Sequence, residues 1–191
     1  MLNQRHDQTI ANAKASLDAE RQLQSLANDI DATLLNVFPD SATFTRKTNF
    51  VYEIAALFTV VGIPFHLYRG EAWSAERGKL DLEGAEGHEW LEVPTRFGRV
   101  IVDPTLRCKL MDVWEDGIDF DIPTVLTPKQ AAGIGRAFCG ERQPLDDYFF
   151  STNTNEAENA LGDVRLLAEN HARFFGSVAA ERREPAVLET D

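Results

Sequence analysis

Gly87-His88-Glu89-Trp90-Leu91-Glu92-Val93, followed after a short gap by Gly98-Arg99-Val100-Ile101-Val102-Asp103-Pro104-Thr105, is the stretch on which the fold of this chain turns. The alternation from Trp90 to Val93 and the branched run Val100-Ile101-Val102 predict two strands, joined by a turn over Pro94 to Gly98. A hairpin sets the start of its first strand beside the end of its second. His88 and Asp103 then face each other at one rim of a sheet. A carboxylate there fixes the imidazole tautomer and makes the ring a better base, which is half of a nucleophile-His-Asp relay.

Upstream, the segment from Lys47 to Pro64 has apolar residues at 50, 51, 54, 57, 58 and 61, which is helical spacing. Gly62 supplies a left-handed stop and Pro64 blocks continuation. The spacing predicts a helix buried on one face whose first turn, near residues 47–49, points toward the chemistry. A helix N-terminus favours a developing anion there.

Together these segments resemble the transglutaminase-like superfamily, a branch of the papain-like cysteine enzymes, over residues 44–107. In that family a cysteine opens a buried helix ending in Gly-Ile-Pro. The His and Asp follow in motifs similar to His88-Glu89-Trp90-Leu91-Glu92-Val93 and Val102-Asp103-Pro104-Thr105. The resemblance implies an α+β fold, a papain-like core with a buried central helix against an antiparallel sheet, flanked by N- and C-terminal helices. It implies that the strand Phe65-His66-Leu67-Tyr68-Arg69-Gly70 pairs beside the His strand, and it puts the nucleophile position at Lys47, with Thr48 next. Neither is a cysteine.

Each candidate has two roles open to it. Thr48 can attack when a histidine takes its proton, or it can cap the helix as Asn49 can. Lys47 is a primary amine at a helix start or a solvated surface lysine, and Lys47, Asn49 and Trp90 are candidate substrate contacts. Trp90 can equally be core, and His66 a half-exposed strand residue. His88 is a relay base or a satisfied structural histidine, and Asp103 its orienting carboxylate or the end of a strand. The two cysteines, Cys108 and Cys139, both follow the Asp motif and are read as packing residues, Cys139 near the end of a helix.

The bulk properties narrow the classes. A chain of 191 residues with 43% hydrophobic residues fits one domain with a real core. With 31 acidic against 19 basic residues the formal charge is −12, which argues against a nucleic-acid or anionic-membrane surface and allows a basic partner. No apolar run approaches the ~20 residues of a membrane span. Met1 to Asp7 has no secretory apolar core, and two well-separated cysteines fit a reducing cytoplasm.

Residues 8–38 carry Leu17, Leu23, Leu26, Ala27, Ile30, Leu34 and Leu35 in a polar background, predicting one or two amphipathic helices laid on the domain. Glu71 to Glu86 reads as a long connection, and the acidic stretch from Asp112 to Asp121 lacks calcium-loop spacing, so it reads as an exposed link. Thr127-Pro128-Lys129-Gln130 opens a helix expected to reach Phe138, with Thr at the cap and Pro at the first turn. A last helix is expected from Asn155 to Phe175, ended by Gly176. The domain is drawn over 1–180, with C-terminal helices in 127–176 and a flexible tail over 181–191.

The expected function is a transglutaminase-like domain without its cysteine, a binding or assembly protein that uses the old cleft to hold a protein or peptide. One alternative is an amide-directed acyl transferase or hydrolase in which Thr48 or water attacks, His88 moves the proton and Asp103 orients it. Another is an acidic neutralising partner of a basic protein. No metal or cofactor is called for, and the oligomeric state is left open.

Overall fold

The structure is a computed structural model that describes residues 2–37, 50–74, 78–79, 87–104, 123–144 and 161–175. Its elements in chain order are α1 (Leu2–Val37), α2 (Phe50–Val61), β1 (His66–Ser74), β2 (Gly78–Lys79), β3 (His88–Thr95), β4 (Gly98–Val102), β5 (Val125–Leu126), α3 (Pro128–Gly133), β6 (Arg136–Gln143) and α4 (Leu161–Phe175). The class is α+β. Every strand pairing is antiparallel. β6 covers one edge of β1 from Leu67 to Ser74, so β2 and β3 share the other edge, and the sheet runs β6-β1-β3-β4-β5.

Side chains alternate across a strand, so the sheet has two distinct faces. Leu67, Leu91, Val93, Val100, Val102 and Val125 meet α1, α2 and α4 on the first, which holds the main core. Tyr68, Trp90, Ile101 and Leu126 lie on the second, with Ala131 of α3 and Phe138 of β6. α2 departs from the expected one-sided burial, because Val51 to Phe58 are buried all round. A helix enclosed on every side reads as continuously apolar, and its positions 54–58 are Ile-Ala-Ala-Leu-Phe. Gly62 stops it at φ 80°, as the sequence predicts.

Four other expectations are corrected. The β3–β4 turn is Arg96-Phe97, with Thr95 opposite Gly98, and Pro94 stays in the strand. It lies beyond Glu92, the last β3 residue paired with β1, where a missing N–H is tolerated. Thr95 closes this turn by donating to the Gly98 carbonyl at 2.9 Å and accepting from the Phe97 N–H at 3.1 Å. The N-terminal segment is a single helix, one of the two forms expected, but its stripe is narrower than expected: Leu23, Leu26, Ala27, Ile30 and Leu34 are buried while Leu17 and Leu35 are exposed. β1 continues past Gly70 to Ser74.

The fourth correction concerns 127–138. Thr127 and Gln130 form the capping box and Pro128 opens the helix, as expected. The helix ends at Gly133, because Gly135 at φ 69° turns the chain out of it. Phe138 and Cys139 therefore belong to strand β6, and Cys139 is exposed instead of packed. α4 begins among the described residues at Leu161, and its Phe174 carbonyl accepts the Arg96 N–H of the hairpin tip at 3.2 Å. Residues 155–160, the tail over 181–191 and the stretch from Asp112 to Asp121 lie outside the described residues, as does most of the Glu71–Glu86 connection.

Candidate functional site

His88 opens β3 directly after Gly87, which sits at φ 79° and lets the chain swing into the strand. Asp103 follows β4 by one residue. The β4–β5 ladder carries on past Val102, since the Asp103 N–H donates to the Thr124 carbonyl at 2.8 Å. Thr124 is fixed in turn by α1, where Asp31 Oδ1 accepts the N–H groups of Thr124 and Val125 at 3.0 and 3.2 Å and the Thr124 hydroxyl at 2.5 Å. The rim carboxylate is thus placed by a run of bonds that starts on the N-terminal helix.

The expected pair forms. His88 Nε2 lies 2.6 Å from Asp103 Oδ2, and each side chain is 1% exposed. A carboxylate only accepts, so Nε2 carries the proton and Nδ1 is the basic nitrogen. Nδ1 is buried and has no hydrogen-bond partner among the described residues, and the same holds for Trp90 Nε1.

The imidazole is enclosed by aromatic rings on the second face of the sheet. Its ring lies 5.9 Å from Trp90 and 6.4 Å from Phe138, and Trp90 stacks on Tyr68 at 5.8 Å. Two glycines make this possible. His88, Gly70 and Gly140 form one row across β3, β1 and β6. A β-carbon on Gly140 would sit 2.5 Å from Trp90 Cη2, and one on Gly70 2.2 Å from the Cys139 carbonyl oxygen. The indole therefore leans over a stretch of bare backbone, and β1 and β6 close together beneath it.

At the same rim, on the opposite face, Tyr52 in the first turn of α2 donates to Glu89 Oε1 at 3.0 Å. Arg69, opposite Glu89 in the β1–β3 register, donates to the same oxygen through Nε at 2.9 Å and through its terminal nitrogen. Burial first, and the Glu89 charge second, push the Tyr52 hydroxyl up to about 12. The Glu89 hydrogen bond holds Arg69 above its ordinary value. The start of α2 thus reaches the His88 end of β3, with the body of the helix on the face away from the imidazole.

Of the sequence-derived candidates, the fold brings His88, Asp103 and Trp90 together. Lys47, Thr48, Asn49 and Cys108 lie outside the described residues. His66 is half-buried, and Cys139 alternates away from Phe138 and so away from His88. Phe138, Gly70, Gly140 and the Asp31–Thr124 support were missed. Their one local signal is glycine within strand-like sequence, which marks close approach of a backbone or ring. Among the described residues no cluster of three or more His, Cys, Asp or Glu side chains is arranged to hold a metal ion, and no helix is long and apolar enough to cross a membrane. No family model matches the chain, and neither does any curated protein or solved structure.

Proposed function

We propose that this protein is a transglutaminase-like domain that lacks the family's cysteine and works as a binding or assembly protein for a protein or peptide. The observation that carries this reading is the closure of the His-Asp pair. His88 and Asp103 are each 1% exposed beneath Trp90 and Phe138, where a transfer reaction needs the imidazole within reach of substrate. The order of elements supports it too, with an enclosed helix ending in Gly62-Ile63-Pro64, then β1, the His strand and the Asp strand. Both cysteines follow Asp103 in the sequence.

A second reading rests on Nδ1 of His88, which has no hydrogen-bond partner among the described residues. A basic nitrogen with no donor is suited to take a proton from an attacking hydroxyl or water while Asp103 steadies the imidazolium. In that reading Thr48 or water attacks an amide carbonyl, its proton passes to Nδ1, and Nδ1 returns it to the leaving amine.

A panel of glutamine-containing peptides and esters, tested against the wild type and His88→Ala, separates the two. The binding reading expects no turnover by either form and equal peptide binding by both. Turnover by the wild type that disappears in His88→Ala overturns it in favour of the enzyme.

A further inference from the structure

We infer that β6 is the interface through which two copies of this chain pair into a two-fold symmetric dimer. This pairing is independent of the fate of His88. A sheet edge is a row of main-chain donors and acceptors without partners, and proteins keep such edges short, charged or kinked. One edge of this sheet follows that rule, since β5 spans only Val125–Leu126. The other does not. β6 runs the eight residues Arg136–Gln143 in unbroken register with β1, it contains no proline, lysine or bulge, and among the described residues no strand covers its outer side.

That outer side is reachable. Ala137, Cys139, Gly140, Glu141 and Arg142 are exposed, and Gly140 is all backbone, with Trp90 over one face of it and β1 along one edge. The main chain also shows which groups point outward. The Cys139 carbonyl oxygen lies 2.2 Å from where a β-carbon on Gly70 would sit, and the Arg69 carbonyl oxygen 2.5 Å from where one on Gly140 would sit. Both carbonyls therefore point into the gap between β1 and β6. Alternation along an antiparallel ladder then turns the N–H and C=O groups of Phe138, Gly140 and Arg142 away from β1.

One register of a symmetric pair suits the side chains. Directly opposed residues share a face of the sheet, so a two-fold axis between identical antiparallel strands pairs one residue with its own equivalent. An axis at Cys139 sets Arg136 against the partner's Arg142, and an axis at Glu141 sets two glutamates together. Axes farther from the middle of the strand shorten the ladder. An axis at Gly140 removes both conflicts, because Arg142 then lies across from the partner's Phe138 ring and Cys139 from the partner's Glu141. The outward groups of Phe138, Gly140 and Arg142 form about six main-chain hydrogen bonds across that axis. Pro144, which has no N–H to give, lies opposite the partner's Arg136 and ends the ladder.

Sedimentation equilibrium of the full chain, run through the micromolar range, should show a reversible monomer–dimer step. Arg142→Pro removes one outward N–H from each copy and leaves the β1–β6 bonds in place, so it should raise the dissociation constant about tenfold or more. Circular dichroism of that variant checks that the fold is kept. Independently, a nitroxide on Cys139 in a Cys108→Ser background should give a dipolar-broadened spectrum as the dimer forms, since the two Cys139 positions are diagonal neighbours about 7–8 Å apart. Where Arg142→Pro does not fold, the label decides alone. A chain that stays monomeric overturns the interface, as does a dimer whose constant is unchanged by a folded Arg142→Pro or whose label shows no broadening.

Discussion

At the scale of single residues, the neighbourhood of His88 is shaped by two side chains that are missing. With Gly70 and Gly140 in line beside it, the imidazole is covered by rings that lean in from Trp90 and Phe138. Gly140→Ala puts a methyl group 2.5 Å from both Trp90 Cη2 and the Arg69 carbonyl oxygen, and the backbone partner cannot swing aside. The expected loss is about 2 kcal/mol of stability, in the range of overpacked interiors, read from the urea midpoint. A red-shifted tryptophan emission from the displaced indole should accompany it. An unchanged midpoint and spectrum would mean that the indole does not lie over Gly140. His88 and Asp103 were legible from sequence because a hairpin register is a local rule. The glycine row was not, since it depends on which distant strand lies alongside β1.

At the scale of elements, α2 is tied to the sheet by the Tyr52–Glu89–Arg69 contact, and that tie titrates. The Tyr52 hydroxyl moves from 10.0 to about 12 in the fold. Its neutral form is the one the folded state favours, so the contribution is complete below pH 10 and fades as pH rises toward about 12. The unfolding free energy of the wild type should therefore fall more steeply across that window than that of Tyr52→Phe. Parallel curves for the two proteins would show that the tyrosine does not titrate differently on folding. The elements that sequence disclosed well are those with strong local punctuation, α2 with Gly62 and α3 with its Thr127–Gln130 capping box. It fails at β6, where the expected helix runs on to Phe138 and the chain instead turns at Gly135 into a strand. The residues of β6 are exposed save Arg136, Phe138 and Gln143, so the strand shows little period-two alternation to betray it.

At the scale of the whole molecule, three of the described helices close one face of the described sheet, and the long first helix contributes only part of its length. Residues 8–17 of α1 are exposed, including Ile10 and Leu17, whereas Leu23 to Leu34 supply its buried stripe. Replacing Ile10 and Leu17 by serine together should shift the thermal midpoint by less than about 2 °C, because exposed side chains without core contacts carry little stability. A large drop would show that the projecting turns hold the fold together. The last carbonyls of α4 depend on the hairpin tip, whose Arg96 N–H meets Phe174. During synthesis from the N-terminus the hairpin has already left the ribosome when α4 emerges, so the closing helix finds its cap waiting. The apolar stripe of α1, made first, has the opposite fate and stays uncovered until the rest of the chain arrives, the interval in which a nascent chain most needs a chaperone.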